Sequence, residues 1–185
     1  MVIEGAMPLK ILGPQDFRHF VQPGSENELL RQFCEREILM GKFLPEFRVG
    51  TTIAGKLPRA GDDNPTLRPI DAVCVLGLPH DYHLVWLGNE GKKRMTKSRH
   101  GRLAKSEWCP SVGDKVALIE VKSGKPNHES VGQLIVYRTL FEQDYPQCAV
   151  DQLWIIALHD DPLVRGACEE LGISVWTEDR DGTDS

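Results

Sequence analysis

Several features that mark specialised classes of protein are missing from this sequence of 185 residues. Its five cysteines are scattered and include no C-x-x-C pair, so we expect free thiols rather than a disulfide framework or a zinc ribbon. No apolar run approaches the roughly 18 residues of a membrane span. The opening stretch MVIEGAMPLKIL has an early Glu4 and no long apolar core, unlike a signal peptide. We therefore expect a cytoplasmic protein with no membrane partner.

Positive charge is scarce in most of the chain and concentrated in one segment. The formal net charge is -5, which argues against a generally basic surface for nucleic acid. The stretch GKKRMTKSRHGRLAKS, however, contains no acid. We interpret the region around 88–112 as a basic insertion that contacts phosphates, with an ordinary solvated loop as the alternative. The substrate-binding residues predicted within it are Lys92, Lys93, Arg94, Lys97 and Arg99.

The remaining pattern predicts one globular domain at 1–178, followed by a disordered tail at 179–185. The hydrophobic content of 41% and charged content of 26% are typical of soluble proteins. Apolar periodicity predicts helices in SENELLRQFCEREILMG, HESVGQLIVYRTLFEQD and DPLVRGACEELG. The second helix would have Val131, Leu134, Ile135 and then Leu140 or Phe141 on one face. Strands are predicted in FLPEFRVG, IDAVCVLGL, HLVWLGN, KVALIEVK, DQLWIIALH and ISVWT. Their alternation indicates an α/β fold whose mixed sheet is flanked by helices.

The strand KVALIEVK ends in two charged residues that project to the same face, because Glu120 and Lys122 are two positions apart. Asp71 lies near the start of another strand, and if the two strands are neighbours it forms a carboxylate pair with Glu120. Carboxylates suit Mg²⁺ or Mn²⁺, and such a site can hydrolyse a phosphodiester. Asp81 and Asp114 are alternative acids. A surface ion pair on an edge strand is the simplest alternative for Glu120 and Lys122.

These motifs resemble those of one nuclease family. RPID followed by ALIEVK resembles the PD-(D/E)xK motif of the restriction-endonuclease-like superfamily, and GQLIVY resembles the Q-x-x-x-Y signature of its RecB-type branch. SENELL resembles the acidic first helix of many members. The resemblance spans roughly Ser25 to Leu158. It implies a restriction-endonuclease-like core, with a central mixed sheet flanked by helices in the order αβββαβ, and an extra C-terminal helix and strand.

The resemblance also implies a catalytic centre. Asp71, Glu120 and Lys122 would be the catalytic residues. The two carboxylates would bind Mg²⁺ or Mn²⁺, with the backbone carbonyl of Val121 completing the metal shell. Lys122 would activate the attacking water. The expected activity is that of a metal-dependent deoxyribonuclease, a hydrolase acting on phosphodiester bonds.

Further roles follow from the resemblance on the two flanking helices. Glu26 would be an auxiliary metal ligand, directly or through water, with Glu28 as the competing candidate. Gln133 and Tyr137 would position the substrate backbone or hold the active-site lysine in place. The partner would be DNA, with RNA less favoured, and the protein could act as a homodimer or in a larger complex. The alternatives are a catalytically silent nucleic-acid-binding or assembly module and a restriction-type endonuclease.

Overall fold

The computed structural model describes residues 24–50, 68–82 and 110–181. The predicted strand HLVWLGN and most of the basic insertion lie outside these ranges. The predicted phosphate-contacting role of that insertion therefore stays a prediction. The residues concerned are Lys92, Lys93, Arg94, Lys97 and Arg99.

Five strands and four helices are formed by the described residues. In chain order they are α1 (Glu26–Glu35), β1 (Gly41–Val49), β2 (Arg68–Leu76), β3 (Lys115–Lys122), α2 (His128–Asp144), β4 (Ala149–Ala157), α3 (Pro162–Glu170), β5 (Ile173–Thr177) and α4 (Glu178–Asp181). No helix among them is long and apolar enough to cross a membrane.

The strands form one mixed sheet in the order β1-β2-β3-β4-β5. β1, β2 and β3 are antiparallel neighbours, whereas β3, β4 and β5 are parallel. Parallel neighbours need a crossover connection, and α2 and α3 supply the two crossovers. The predicted α/β class, with a mixed sheet flanked by helices, is confirmed. In the described sheet β1 is an edge strand, which explains how it accommodates Pro45.

Two hydrophobic clusters cover the sheet, and we name them by the helix that packs on each. The α1 cluster takes from its helix the side chains of Leu29, Leu30, Phe33 and Cys34. The α2 cluster takes from α2 and α3 the side chains of Leu134, Tyr137, Phe141 and Cys168. Strand β3 alternates between the clusters, with Leu118 in the α2 cluster and Ala117 and Ile119 in the α1 cluster.

The three longer helices begin at side chains that satisfy free backbone amides. Ser25 Oγ accepts a hydrogen bond from the Glu28 amide at the start of α1, as its position in the sequence predicts. Asn127 and Ser130 bond reciprocally as a capping box at the start of α2. Asp161 caps α3, where a proline occupies the first helical position.

Two sequence predictions about helices are wrong in part. In α2 the predicted Leu134 and Phe141 are buried and Tyr137 lies with them, whereas the predicted Ile135 is 46% exposed. The buried positions are spaced three and four residues apart, so they form one stripe that packs on the sheet. The tail predicted as disordered from 179 instead continues as α4 to Asp181. Residues 182–185 lie outside the described ranges.

Arg165 of α3 joins the C-terminal elements to one another. Its Nε donates to Asp160 Oδ1 at 2.8 Å, and its Nη1 donates to the Val175 carbonyl at 2.7 Å. Nη2 reaches Thr177 Oγ1 at 3.1 Å and Asp181 Oδ2 at 3.3 Å. The Arg165 side chain is only 13% exposed, so these bonds are largely shielded from water. The network holds α3, β5 and α4 to one another.

Replacing Arg165 with methionine is expected to lower the free energy of unfolding by about 2–3 kcal/mol, because two partly buried carboxylates, Asp160 and Asp181, lose their hydrogen bonds. Arg138→Met is the matched control. Arg138 also pairs with a carboxylate, Glu142, but both side chains are about half exposed. Its loss should cost only about 0.3–0.5 kcal/mol. Urea unfolding of the two variants checks the difference, and equal losses would contradict a special role for the buried network.

Candidate active site

The sheet forks between β2 and β3, at the edge where β3 ends. The pairing of the two strands runs from Val75–Val116 to Ala72–Ile119 and stops there. Beyond that point β2 stays paired with β1 and β3 stays paired with β4. Asp71 and Glu120 are the next residues facing each other, so they lie where the two strands separate. The pairing of β2 with β3 therefore brings together two acids that lie far apart in the sequence.

Asp71 crosses this gap with a hydrogen bond to the backbone of β3. Its Oδ2 accepts from the Val121 amide at 2.7 Å, in place of the carbonyl that continued pairing would supply. In an extended strand the N–H and C=O of one residue point to the same side. The Val121 carbonyl therefore faces the same gap as the Asp71 carboxylate.

Glu120 and Lys122 form an ion pair at the end of β3. Lys122 Nζ lies 2.5 Å from Glu120 Oε1. The Glu120 side chain is 3% exposed and that of Lys122 is 25% exposed, so the pair is largely shielded from water. Both side chains project together, as predicted from their spacing. The surface ion pair that was the simplest alternative for these residues does not describe a carboxylate buried to this degree.

Burial and mutual charge raise the pKa of both carboxyl groups. Burial has the largest effect on Glu120 and the charge of Asp71 adds to it, raising the Glu120 pKa from 4.5 to about 7 despite the bond from Lys122. Burial also raises the pKa of Asp71, and the Val121 amide opposes that shift in part. Near neutral pH the fork therefore holds more negative charge than its own ammonium stabilises, and a cation there would be favoured.

Lys122 keeps its proton in this arrangement. Burial acts to lower its pKa, but the hydrogen bond and charge of Glu120, with the charges of Asp71 and Glu26, raise the pKa above its ordinary value. The ammonium can therefore donate hydrogen bonds to water or to a phosphate oxygen. Direct removal of a proton from water by Lys122 would first require a neutral amine, which these carboxylates disfavour.

The structure distinguishes the two acids at the start of α1. The Glu28 carboxylate pairs with Arg31 on the same helix, one turn further along. The negative charge of Glu26 instead acts on the fork, where it raises the pKa of Asp71 and of Glu120. Glu26 is thus the α1 acid that is electrostatically part of the site.

If the fork binds a cation, removing the charge of Glu26 should weaken that binding, because Glu26 contributes to the electrostatic field at the fork without being buried there. We expect Glu26→Gln to raise the dissociation constant for Mn²⁺ about tenfold, and Glu28→Gln to change it less than twofold. Calorimetric titration measures both constants. Equal effects from the two substitutions would contradict the assignment of Glu26.

Neither alternative acid lies at the fork. Asp114 accepts from the Ser111 amide at 2.6 Å, in the turn that precedes β3. Asp81 is bonded through its backbone to Gly41 and Phe43, at the start of β1. Both positions are at the opposite edge of the sheet, because β1 and β3 run in the same direction.

Two predicted substrate-binding residues on α2 lie in different environments. Tyr137 is 6% exposed and belongs to the α2 cluster, so its ring is part of the core. Gln133 is half-buried, and its Oε1 is buried with no hydrogen-bond partner among the described residues. Gln133 therefore has an acceptor still to satisfy, whereas the packing of Tyr137 is already explained by the fold.

The donor set at the fork consists of Asp71, Glu120 and the Val121 carbonyl. Proteins commonly hold Mg²⁺ through one or two carboxylates, with waters and substrate phosphates as the remaining ligands. Two carboxylates with raised pKa and one carbonyl fit that chemistry. Within the described residues, however, no group of three or more His, Cys, Asp or Glu side chains is arranged to hold a metal ion. As placed, Glu26 is therefore not a third direct ligand, and its predicted contact would run through water.

Comparison with known proteins adds no relative to this geometry. No family model, curated protein or solved structure matches the chain. The residues at the fork and the motifs in the sequence are therefore the observations that bear on function.

Proposed function

We propose that this protein is a Mg²⁺- or Mn²⁺-dependent nuclease of the PD-(D/E)xK superfamily that hydrolyses phosphodiester bonds in DNA. The observation that carries the proposal is the meeting of Asp71 with Glu120 and Lys122 across the fork between β2 and β3. A buried carboxylate pair with an adjacent ammonium is costly to a fold, so a chemical role accounts for it better than a structural one. The element order, from α1 through β4, supports a restriction-endonuclease-like αβββαβ core with α3 and β5 as the additional helix and strand.

In this proposal the residues at the fork hold water beside a phosphate. Asp71, Glu120 and the Val121 carbonyl would hold the cation, which supplies charge to polarise the scissile phosphate. The Lys122 ammonium orients the attacking water and donates to a phosphate oxygen that gains negative charge. The water oxygen attacks phosphorus and gives up a proton to solvent, the bond to the leaving oxygen breaks, and that oxygen takes up a proton from solvent and departs as a hydroxyl.

The proposed preference for DNA is supported by the sequence motifs and by the basic insertion. DNA is preferred over RNA because the motifs resemble a superfamily that acts mainly on DNA. The basic insertion supports a backbone-contacting arm, since Lys and Arg neutralise phosphates without reading sequence. Restriction-type cleavage would require that insertion to read bases as well, so uniform cleavage of unrelated sequences would exclude it. A homodimer or larger complex remains part of the proposal.

A catalytically silent nucleic-acid-binding module is the second candidate. Two observations favour it: Glu120 is already paired with Lys122, and no three acidic, His or Cys side chains in the described part of the chain form a metal site. In such a module the fork would be a remnant with no cation. Calorimetry with Mn²⁺ separates the two candidates, because only the nuclease requires binding that depends on Asp71 and Glu120.

Removal of the Lys122 ammonium tests the proposed chemistry. We expect Lys122→Met to lower the rate of Mn²⁺-dependent cleavage by about 10²–10³-fold, because a charged donor aimed at the reacting phosphate is lost. Lys125→Met is the matched control, since Lys125 is an exposed lysine three residues further along the chain. At about 0.15 M salt that control should stay within threefold of the wild type.

The assay should use labelled duplex, single-stranded and branched DNA, with RNA as a further substrate. Cleavage that needs Mg²⁺ or Mn²⁺ and depends on Lys122 supports the proposal. Cleavage by Lys122→Met at the wild-type rate would contradict the role of Lys122. An absence of cleavage on every substrate, together with no Mn²⁺ binding, would favour the silent module.

A further inference from the structure

Glu46 in the middle of β1 has a backbone conformation that is unusual for its residue type. Its φ is 52°, in the left-handed region that glycine and, less often, asparagine adopt. A glutamate in a regular strand does not adopt this conformation. A non-glycine residue held in this region is commonly found where the surrounding structure needs a local change of direction.

Glu46 lies directly opposite Asp71. The register pairs Pro45 with Ala72 and Phe47 with Ile70, so the position between them joins Glu46 to Asp71. That position is missing from an otherwise continuous ladder between β1 and β2. Asp71 therefore lies both at the break in the β1–β2 pairing and at the fork between β2 and β3.

Side chains of β1 point alternately to the two faces of the sheet, and this alternation shifts by one residue at Glu46. Leu44 and Phe47 both belong to the α2 cluster, although three positions apart in a regular strand would place them on opposite faces. The ring centre of Phe47 lies 5.9 Å from that of Phe141 in α2 and 5.5 Å from that of Tyr145, which directly follows the helix. The left-handed turn at Glu46 accounts for this change, because it rotates the chain that follows.

Strand β2 changes phase at the facing residue. Val73 and Ile70 both lie in the α2 cluster, whereas Ala72 lies in the α1 cluster. The two strands stay paired on both sides of the break, so they rotate together. Asp71 sits at the point of rotation, and its carboxylate reaches sideways to the Val121 amide rather than along either face of the sheet.

We propose that Glu46 is a positioning residue, whose left-handed backbone turns β1 and β2 together and so directs the Asp71 carboxylate into the fork. The inference rests on the proposed metal-dependent function for its catalytic meaning, and on the register of β1 and β2 for its geometry. The backbone of Glu46 does the positioning, so residues that adopt a left-handed conformation readily can replace it. Residues with a branched Cβ cannot do so without moving Asp71.

A matched pair of substitutions tests the backbone. Glu46→Gly keeps the left-handed conformation, and Glu46→Val disfavours it. In the valine variant we expect the protection of the Val121 amide against hydrogen exchange to fall at least tenfold relative to the Ile119 amide. We also expect its Mn²⁺ dissociation constant to rise at least tenfold. The glycine variant should stay within about twofold of wild type in both measurements.

The two readouts keep the outcomes distinct. Normal Val121 protection in a folded valine variant overturns the inference and leaves the proposed nuclease function standing. Loss of protection in the glycine variant also overturns it, since the side chain of Glu46 would then be what matters. If the valine variant is too unstable, Glu46→Thr provides a second test in the same direction, because threonine is also branched at Cβ. An absence of Mn²⁺ binding in the wild type would contradict the proposed function separately, because the exchange measurement needs no metal.

Discussion

Asp71→Asn is expected to abolish most metal-dependent cleavage while leaving the fold intact. The asparagine side-chain oxygen can still accept the bond that the Val121 amide gives to Asp71 at 2.7 Å, so the fork keeps its geometry. The negative charge that would hold the cation is lost. A loss of about 4 kcal/mol of transition-state stabilisation lowers kcat/KM by about 10³-fold. Initial rates on labelled DNA with Mn²⁺, with circular dichroism as a check of the fold, provide the measurement.

Two other aspartates provide matched controls for that result. Asp81→Asn and Asp114→Asn make the same chemical change at the opposite edge of the sheet. Both variants should cleave within about threefold of the wild type, because neither carboxylate reaches the fork. A loss in Asp114→Asn as large as that in Asp71→Asn would contradict the fork as the catalytic centre.

Glu120→Gln is expected to make the protein more stable at pH 8 while it removes cleavage. The Glu120 pKa is raised from 4.5 to about 7, and each unit corresponds to about 1.4 kcal/mol. The charged form of Glu120 thus lowers the free energy of unfolding by about 3 kcal/mol. Glutamine removes that cost but can still accept the hydrogen bond from Lys122. The free energy of unfolding at pH 8 should rise by up to about 3 kcal/mol.

The pH dependence gives the sign of this effect. Between pH 4.5 and 7 the folded wild type binds more protons at Glu120 than the unfolded chain does, so its stability falls as pH rises. Below pH 4.5 the group is protonated in both states and the cost disappears. The gain from Glu120→Gln should therefore be near zero at pH 4, grow through pH 5–7 and level off above pH 7. Denaturant unfolding across this range measures it.

Glu142→Gln is the control for Glu120→Gln. Glu142 is also paired with a basic residue, Arg138, but it is 46% exposed. Its substitution should change stability by less than about 0.5 kcal/mol at every pH. Mn²⁺ should raise the Tm of the wild type and of Glu142→Gln, but not that of Glu120→Gln. A Glu120→Gln variant less stable than wild type at pH 8 would instead indicate that the ion pair with Lys122 is structural.

These two predictions describe one trade-off between stability and chemistry. A buried carboxylate pair weakens the fold near neutral pH, and the same excess of negative charge attracts a cation. Removing either charge should raise the free energy of unfolding near neutral pH and abolish the proposed cleavage. A purely structural ion pair would respond in the opposite way, because breaking it leaves a buried charge without a partner.

Local sequence patterns were sufficient for much of the fold. The helix starts at Ser25 and Asp161 follow from capping residues, and the α/β class follows from alternating strand and helix periodicity. These signals act between residues a few positions apart, so they can be read without knowledge of the partner elements. The face of α2 could not be read in this way. That helix has apolar side chains on more than one side, so packing against the sheet decided that Ile135 is exposed.

The candidate site, too, could be predicted only in part from local sequence patterns. The sequence by itself determined that Glu120 and Lys122 share a face at a strand end, because the period of a strand is two. Only the tertiary structure decided that Asp71 is the acid opposite them and that Glu26, rather than Glu28, acts on the fork. It alone revealed Glu46, since a glutamate in a strand gives no local sign of a left-handed backbone. These choices depend on strand pairing and burial over distances of tens of residues, which short-range periodicity does not encode.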